Sequence, residues 1–399
     1  MNLDRALNIA DLHAAARRRL PKIIFDFVEG GVEDERGLKL NRDALERYAL
    51  IPQYLVDVSK RSQSVELFGR KYSAPFGVSP MGLAGLVHPG VDLMLARVAA
   101  ERNMPYLMSN ASNASIESAA KLAPKNTWFQ IYATAQERIN TDLVKRARDL
   151  ALETLVVTVD VPVAPNRERN RRNGFTRPPK MTLPIVLDSM MHPRWVLNYV
   201  RTGGTPMMEN WTPYAREGAT VDEVAEMYGT LTPAPSMTWS NLDDIRAAWS
   251  GNLVIKGVLS PRDAVRAADA GADGLIVSNH GGRQLDVAPS PIDMLPAIKA
   301  AVGHRMTLIL ESGVRRGSDV VLAAALGAKL CLFGRPWLYG AAAGGEPGVH
   351  KVFSIMQREI DLIMGQVGCN SLDPKAAGLA VQKIRSERVT PIDVPVFQD

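Results

Sequence analysis

From about residue 74 the chain repeats one unit: a short apolar run, a loop of glycine or polar residues, then an amphipathic stretch. Short apolar runs bounded by turn residues read as buried strands. The pattern predicts strands at Phe76–Ser79, Tyr106–Met108, Trp128–Ile131 and Thr154–Val159, then at Leu253–Lys256, Gly274–Ser278, Thr307–Leu310 and Lys329–Phe333. Helical stretches such as Ala264–Ala270 and Asp319–Leu326 fall between them, and each ends at a Gly-Ala pair. Glycine there supplies the left-handed residue that stops a helix. Strands alternating with helices point to an α/β fold with a parallel sheet, and eight units suggest closure into a (β/α)8 TIM barrel. A doubly wound open sheet is the alternative, but it would want G-x-G-x-x-G after its first strand, and none stands there.

Such a barrel takes about 250 residues as one domain, so a chain of 399 has room for additions without a second core. Residues 1–399 are therefore read as one barrel domain. Residues 1–73 are expected to form an N-terminal helical extension, in which Pro21 opens a helix and Gly30-Gly31 closes it. The interval 164–240, after the fourth strand, is too long for a plain βα connection. It starts with Arg167-Glu168-Arg169-Asn170-Arg171-Arg172 and continues through Arg177 and Lys180 to Met181–Leu187 and Met190–Arg201. Methionines, Trp195 and Tyr199 flanked by arginines suit a segment lying on an anionic bilayer. A lid over the barrel mouth or a subunit contact suits the same residues.

Composition excludes several classes. A net charge of +5 spread over 47 basic and 42 acidic residues is too balanced to argue for nucleic acid. Two cysteines, Cys331 and Cys369, make no disulfide framework and no metal cluster, and Cys331 lies in an apolar run as a core residue would. The start Met1-Asn2-Leu3-Asp4-Arg5 lacks a secretory apolar region, so a cytoplasmic location is expected. No uncharged apolar run reaches the ~18 residues of a spanning helix.

The active site of such barrels lies at the C-terminal strand ends. Each of the eight ends here carries polar groups: Ser79-Pro80-Met81-Gly82, Ser109-Asn110, Gln130 with Tyr132, Thr158 with Asp160 and then Arg167, Lys256-Gly257, Ser278 with His280, Glu311-Ser312-Gly313, and Gly334-Arg335. Within Ser278-Asn279-His280-Gly281-Gly282-Arg283-Gln284-Leu285, a proton acceptor stands beside an anion clamp, which suits deprotonating a substrate that bears a carboxylate. Taken alone, the stretch is equally a glycine turn with a solvated arginine. Asp160 is expected across the barrel mouth, where its charge would raise the basicity of His280. Ser312-Gly313-Val314-Arg315-Arg316-Gly317 and Gly334-Arg335 follow the seventh and eighth strands, where barrel phosphate sites commonly form. Lys256, in an apolar strand, reads either as a Schiff-base lysine or as a cation facing an anionic part of a cofactor.

With these residues in hand, the chain resembles the FMN-dependent α-hydroxy-acid dehydrogenases and oxidases over about residues 8 to 372. The most specific motif is Ser278–Asp286, supported by Trp128–Tyr132, Thr158–Asp160, Lys256-Gly257, Gly313–Gly317 and Gly334-Arg335. Val186-Leu187-Asp188 and His192-Pro193-Arg194-Trp195 look most like the membrane-associated mandelate dehydrogenase branch. The resemblance implies that His280 takes a proton as the α-carbon of a 2-hydroxy acid is oxidised, with Asp160 stabilising the imidazolium. It implies that Arg283 and Arg167 hold the substrate carboxylate and Tyr132 its hydroxyl. Lys256 would face the flavin N1–O2 edge, and Gln130, Thr158, Ser109 and Ser278 would bind the ring or ribityl chain. Ser79, Met81 and Gly82 would contact the flavin, with Glu311 near the ribityl chain. Ser312, Gly313, Arg315, Gly334 and Arg335 would take the FMN phosphate. A bulky or aromatic substrate, a membrane quinone as acceptor, a peripheral position on the cytoplasmic face of the inner membrane and a homotetramer are further expectations of the likeness. Oxygen as acceptor, L-lactate as substrate, a Schiff-base lyase using Lys256 and a non-catalytic flavin-binding relative are the alternatives.

Three positions depart from the family pattern. Phe27 stands where a tyrosine usually contacts the substrate carboxylate, so one donor is missing; a hydrogen bond to a charged group is worth roughly 1.5–3 kcal/mol. Met81 replaces a smaller residue, while Gly82 leaves room for a large substituent. Glu311 replaces the usual aspartate.

Overall fold

The computed structural model describes residues 2–134, 136–175, 182–373 and 379–383. Eight parallel strands close into a barrel: β1 (Phe76–Val78), β2 (Tyr106–Ser109), β3 (Thr127–Tyr132), β4 (Thr154–Thr158), β5 (Asn252–Val258), β6 (Gly274–Val277), β7 (Thr307–Glu311) and β8 (Leu330–Phe333). Closure is set by β8 against β1, with Cys331 opposite Phe76 and Phe333 opposite Val78. The predicted (β/α)8 barrel is thus the observed fold, and each predicted strand lies within two residues or so of its position. Strand β5 runs beyond Lys256 to Val258 through an irregularity in its pairing with β6. The glycine of that irregularity, Gly257, has a left-handed φ of 101°.

The barrel interior is filled from below. Leu107, Trp128, Val156, Val254, Ile276, Ile309, Leu330 and Leu332 form one apolar cluster with Val65, Leu67 and Tyr72. Those last three belong to a hairpin, Val65–Leu67 with Arg70–Tyr72, that plugs the bottom of the barrel. Its two-residue turn, Phe68-Gly69, has φ of 50° and 75°, the pair of left-handed residues that matches strand twist. Here the N-terminal extension differs from the expected helical one. Helices Ile9–Arg19, Lys22–Glu29 and Arg36–Leu45 come first, and short strands follow at Tyr48–Ile51 and in the hairpin. Alternation in Val65-Glu66-Leu67, with Val65 and Leu67 inward and Glu66 outward, is what makes this piece a strand. With the floor sealed, the open end is the C-terminal mouth. Pro21 caps Lys22–Glu29 and Gly30 ends it, as the sequence indicates. This helix delivers Phe27 to the mouth.

The insertion divides into parts. Helix Glu168–Arg172 stays near the mouth, Leu183–Met190 and Pro193–Arg201 form a helical pair, and Val221–Leu231 returns toward the barrel. Arg177, Lys180 and Met181 lie outside the described residues. Among the described residues, no helix is long and apolar enough to cross a membrane.

Candidate active site

The mouth holds a cavity of about 480 Å3. Of the residues singled out above, Phe27, Ser79, Met81, Gly82, Tyr132, Arg167, Lys256, His280, Arg283, Glu311, Ser312, Gly313, Arg315, Gly334 and Arg335 line it. Ser109, Gln130, Thr158 and Ser278 are buried at the strand ends but do not line it. Among the described residues, six cations (Arg167, Arg171, Lys256, Arg283, Arg315 and Arg335) line the cavity against one carboxylate, Glu311. A concave site so biased favours anionic ligands.

His280 is held by backbone conformation as much as by side chains. Its φ is 58°, and Gly281 and Gly282 continue the left-handed run at 66° and 74°. Such a run costs L-residues energy, so glycine follows the histidine. The amide of His280 donates to Ser278 Oγ at 2.9 Å, and that hydroxyl donates to Glu311. The ring is set by Asp160, whose Oδ1 lies 2.9 Å from Nδ1. Nε2 is left toward the cavity, 3.5 Å from the Tyr132 hydroxyl. Gly257 makes the aspartate's position possible: a Cβ there would fall 2.5 Å from Asp160 Cγ.

The expected rise in His280 basicity is not what the burial of this site produces. Burial lowers the histidine's pKa below its ordinary value; Asp160 opposes this without overcoming it, and Lys256 adds to the lowering. Burial pushes the Asp160 carboxyl up, yet His280 and Lys256 outweigh it and the net shift is down. The pair is therefore a neutral imidazole backed by a carboxylate, ready to receive a proton on Nε2. Burial also raises the Tyr132 phenol well above its usual range, so it remains a donor.

Lys256 is ion-paired with Glu311 and lies 3.2 Å from Ser278 Oγ. An ion-paired ammonium is a fixed cation, unlike the neutral amine a Schiff base requires. Arg283 Nη1 donates to the Gly30 carbonyl, and its guanidinium lies 5.6 Å from the Phe27 ring. Arg335 gives its donors to the carbonyls of Val28, Glu29, Gly30 and Gly281, fastening the end of the Phe27 helix to the His280 loop. Its amide opens helix Arg335–Gly344, which has no side-chain cap. Ser312 and Gly313 have φ of 99° and 81°, the kind of loop whose amides can face an anion.

Several lining residues carried no signal in the sequence. Phe175 stacks on Phe27 with centroids 4.7 Å apart and planes 8° apart. Tyr228, Thr232 and Pro233 come back from the end of the insertion to line the same cavity. Their partners lie at large sequence separation, and no local pattern marks them.

The buried polar inventory tests whether an FMN-like group fits. Both amide atoms of Gln130 and the hydroxyl of Thr158 are buried without a hydrogen-bond partner. An unsatisfied buried polar group costs about 1–3 kcal/mol, and a ring with polar edges would relieve it. With Lys256 as a fixed cation and two loops for an anionic end, the residues fit a planar cofactor bearing a phosphate. A barrel mouth so equipped suits a cofactor-binding enzyme that takes anionic ligands, with a histidine placed to accept a proton.

The family follows from comparison with known proteins. Residues 16–379 match the FMN-dependent dehydrogenase family, and the chain belongs to it. The chain is 40% identical to (S)-mandelate dehydrogenase of Pseudomonas putida over 389 residues, 97% of this chain and 96% of that one. It is 38% identical to an L-lactate dehydrogenase of Caulobacter sp. (91% and 95% covered) and 38% identical to 4-hydroxymandelate oxidase of Amycolatopsis orientalis (92% and 96%). Among solved structures, that of the monotopic membrane protein (S)-mandelate dehydrogenase superposes with a TM-score of 0.90 at 40% identity, covering 95% of this chain and all of the other. The protein is thus an FMN-dependent enzyme of the family that oxidises 2-hydroxy acids.

Proposed function

We propose that this enzyme oxidises an aromatic or similarly bulky 2-hydroxy acid to the 2-oxo acid and passes the electrons to a quinone at a membrane surface. One observation carries the substrate reading: a single cavity sets His280, backed by Asp160, and two arginines beside the stacked rings of Phe27 and Phe175. FMN supplies the two-electron sink when bound. Gln130, Thr158, Ser109 and Ser278 would hold its ring and ribityl chain, with Ser79, Met81 and Gly82 on the β1 side. Lys256, fixed by Glu311, would stand at the ring, and Ser312, Gly313, Arg315, Gly334 and Arg335 at the phosphate. Arg283 and Arg167 take the substrate carboxylate, leaving its apolar group to the aromatic wall. Tyr132 donates to the substrate hydroxyl. His280 Nε2 accepts the proton, and Asp160 keeps Nδ1 protonated and balances the imidazolium.

The membrane reading rests on the helical pair of the insertion. Leu183, Leu187, Met190, Met191, Leu197 and Val200 are all exposed there, interspersed with Arg194 and Arg201. Apolar side chains among arginines fit shallow burial at an anionic surface, here the cytoplasmic face of the inner membrane. The exposed run Tyr54-Leu55-Val56 supplies a surface for assembly into a homotetramer.

The test is anaerobic bleaching of enzyme-bound FMN by glycolate, lactate and phenyl-substituted 2-hydroxy acids. Phenyl-substituted acids should bleach it fastest. Flavin that stays oxidised with every acid, or that responds best to glycolate, would overturn the reading.

A further inference from the structure

A second cavity, about 260 Å3 in volume, lies behind the loops that wall the first. Met81, Gly82 and Ala111 line the active-site cavity, whereas Gly85, Leu86, Asn113 and Ala114 line this one. The two loops are tightly packed: a Cβ built on Gly82 would meet Ala111 Cβ at 2.9 Å, and one on Gly85 would meet Asn113 Oδ1 at 2.8 Å. Along each loop, the residues that line the two cavities are only two to three positions apart.

Helix Pro193–Arg201 of the insertion forms the outer side. Trp195 donates its indole N–H to the Leu86 carbonyl at 2.8 Å and stacks on Tyr199 at 4.9 Å, so an aromatic pair spans from the wall outward. The same helix turns Leu197 and Val200 to the surface. A cavity of roughly 150 Å3 already accommodates benzene, so a substituted ring fits here. One buried acid faces the space. Asp92 accepts the amides of Asn113 at 2.9 Å and Ala114 at 3.4 Å and has no part in the active site above. Burial pushes its carboxyl up to about 6, against those two amides and with help from Glu209. A carboxyl so placed exchanges protons near neutral pH.

We propose that this second cavity is the electron-acceptor site and takes the ring of a quinone that enters from the bilayer side of the insertion. The proposal rests on the membrane-quinone reading above and gives it a location. The ring lies against Trp195 and Tyr199, where aromatic faces favour stacking. Oxidation of one 2-hydroxy acid to the 2-oxo acid releases two electrons and two protons. The quinone gains both electrons by way of bound FMN and two protons, one relayed through Asp92 and one taken directly from solvent, and becomes the hydroquinone. The two protons lost by the hydroxy acid return to solvent, so the exchange balances.

The test uses the FMN-loaded enzyme with a short-tailed, water-soluble quinone and, separately, ferricyanide. Leu93→Trp fills the cavity from helix Val91–Arg102, and Thr202→Trp narrows its rim should the first variant not retain FMN. Anaerobic flavin reduction by the hydroxy acid and reoxidation by ferricyanide should keep their wild-type rates. Reoxidation by the quinone should fall at least tenfold, and calorimetric binding of the quinone to oxidised enzyme should be lost. Asp92→Asn retains an oxygen for the two amides and should slow quinone reoxidation while leaving quinone binding in place. A filled variant that reduces the quinone at the wild-type rate overturns the proposal, and so does a quinone that competes with the hydroxy acid. Vesicle co-sedimentation tests the membrane reading by itself, because the soluble quinone reaches its cavity without a bilayer.

Discussion

Replacing Asp160 by asparagine tests the core of the catalytic arrangement. Asp160 Oδ1 and His280 Nδ1 are 2.9 Å apart, and both side chains are largely buried, at 12% and 16% exposure. An opposite charge at this range shifts a titrating group by about 1–3 pKa units, each worth ~1.4 kcal/mol. Asp160→Asn should thus destabilise the imidazolium by roughly 1.4–4 kcal/mol. If most of that charge has formed in the transition state, flavin reduction slows by about 10- to 1000-fold. Substrate affinity should change little, because Arg283 and Arg167 make the proposed carboxylate contacts. Stopped-flow reduction of FMN under anaerobic conditions separates the two quantities. The pH profile adds a sign. With neutral His280 as the proposed base, whose pKa burial already lowers, activity should be lost as pH falls through that depressed value. Without Asp160 the pKa drops further, and the acid limb should move to lower pH while the plateau falls. Reduction within threefold of wild type, or an acid limb displaced upward, refutes the reasoning.

Three other perturbations read different parts of the structure. Gly257→Ala places a Cβ 2.5 Å from Asp160 Cγ at a φ of 101°, so it should slow flavin reduction tenfold or more with FMN still bound; a normal rate would show that the aspartate has room to move. Phe27→Tyr adds a donor near Arg283, and a charged hydrogen bond worth about 1.5–3 kcal/mol should shift preference from esters toward free acids by at least tenfold in kcat/KM. An unchanged acid-to-ester ratio removes Phe27 from the account of specificity. Leu187→Asp with Met191→Asp puts charge on the exposed face of the insertion, each lost apolar contact being worth about 1.5–3 kcal/mol when buried. Vesicle co-sedimentation should disappear while ferricyanide-coupled turnover stays within twofold.

The barrel was legible because its signal is local. Each strand is a short apolar run, each helix stops at a glycine, and eight units make a ring. Many of the polar residues at the mouth were legible for the same reason, since the architecture puts every strand end at one side of the barrel. His280 could be singled out because Gly281 and Gly282 announce the left-handed turn that carries it. The hairpin floor was missed because Val65–Leu67 is only three residues long. Phe175, Tyr228 and Pro233 were missed because they meet the site through long-range packing.

Electrostatic balance was the least legible property. Sequence puts an aspartate near a histidine and suggests a stronger base, whereas depth of burial reverses the sign. Lys256 could have been a Schiff-base amine until Glu311, 55 residues away, proved to be its ion partner.

Local residue pattern was enough to specify the barrel and the kinds of groups gathered at its mouth, because strand ends are counted along the chain. Three-dimensional packing set which nitrogen of His280 is held by Asp160 and which faces the cavity. It alone brought Phe175 onto Phe27 and set a second cavity behind the β1 loop. These features depend on distances and burial between segments remote in sequence, which no local pattern of residues encodes.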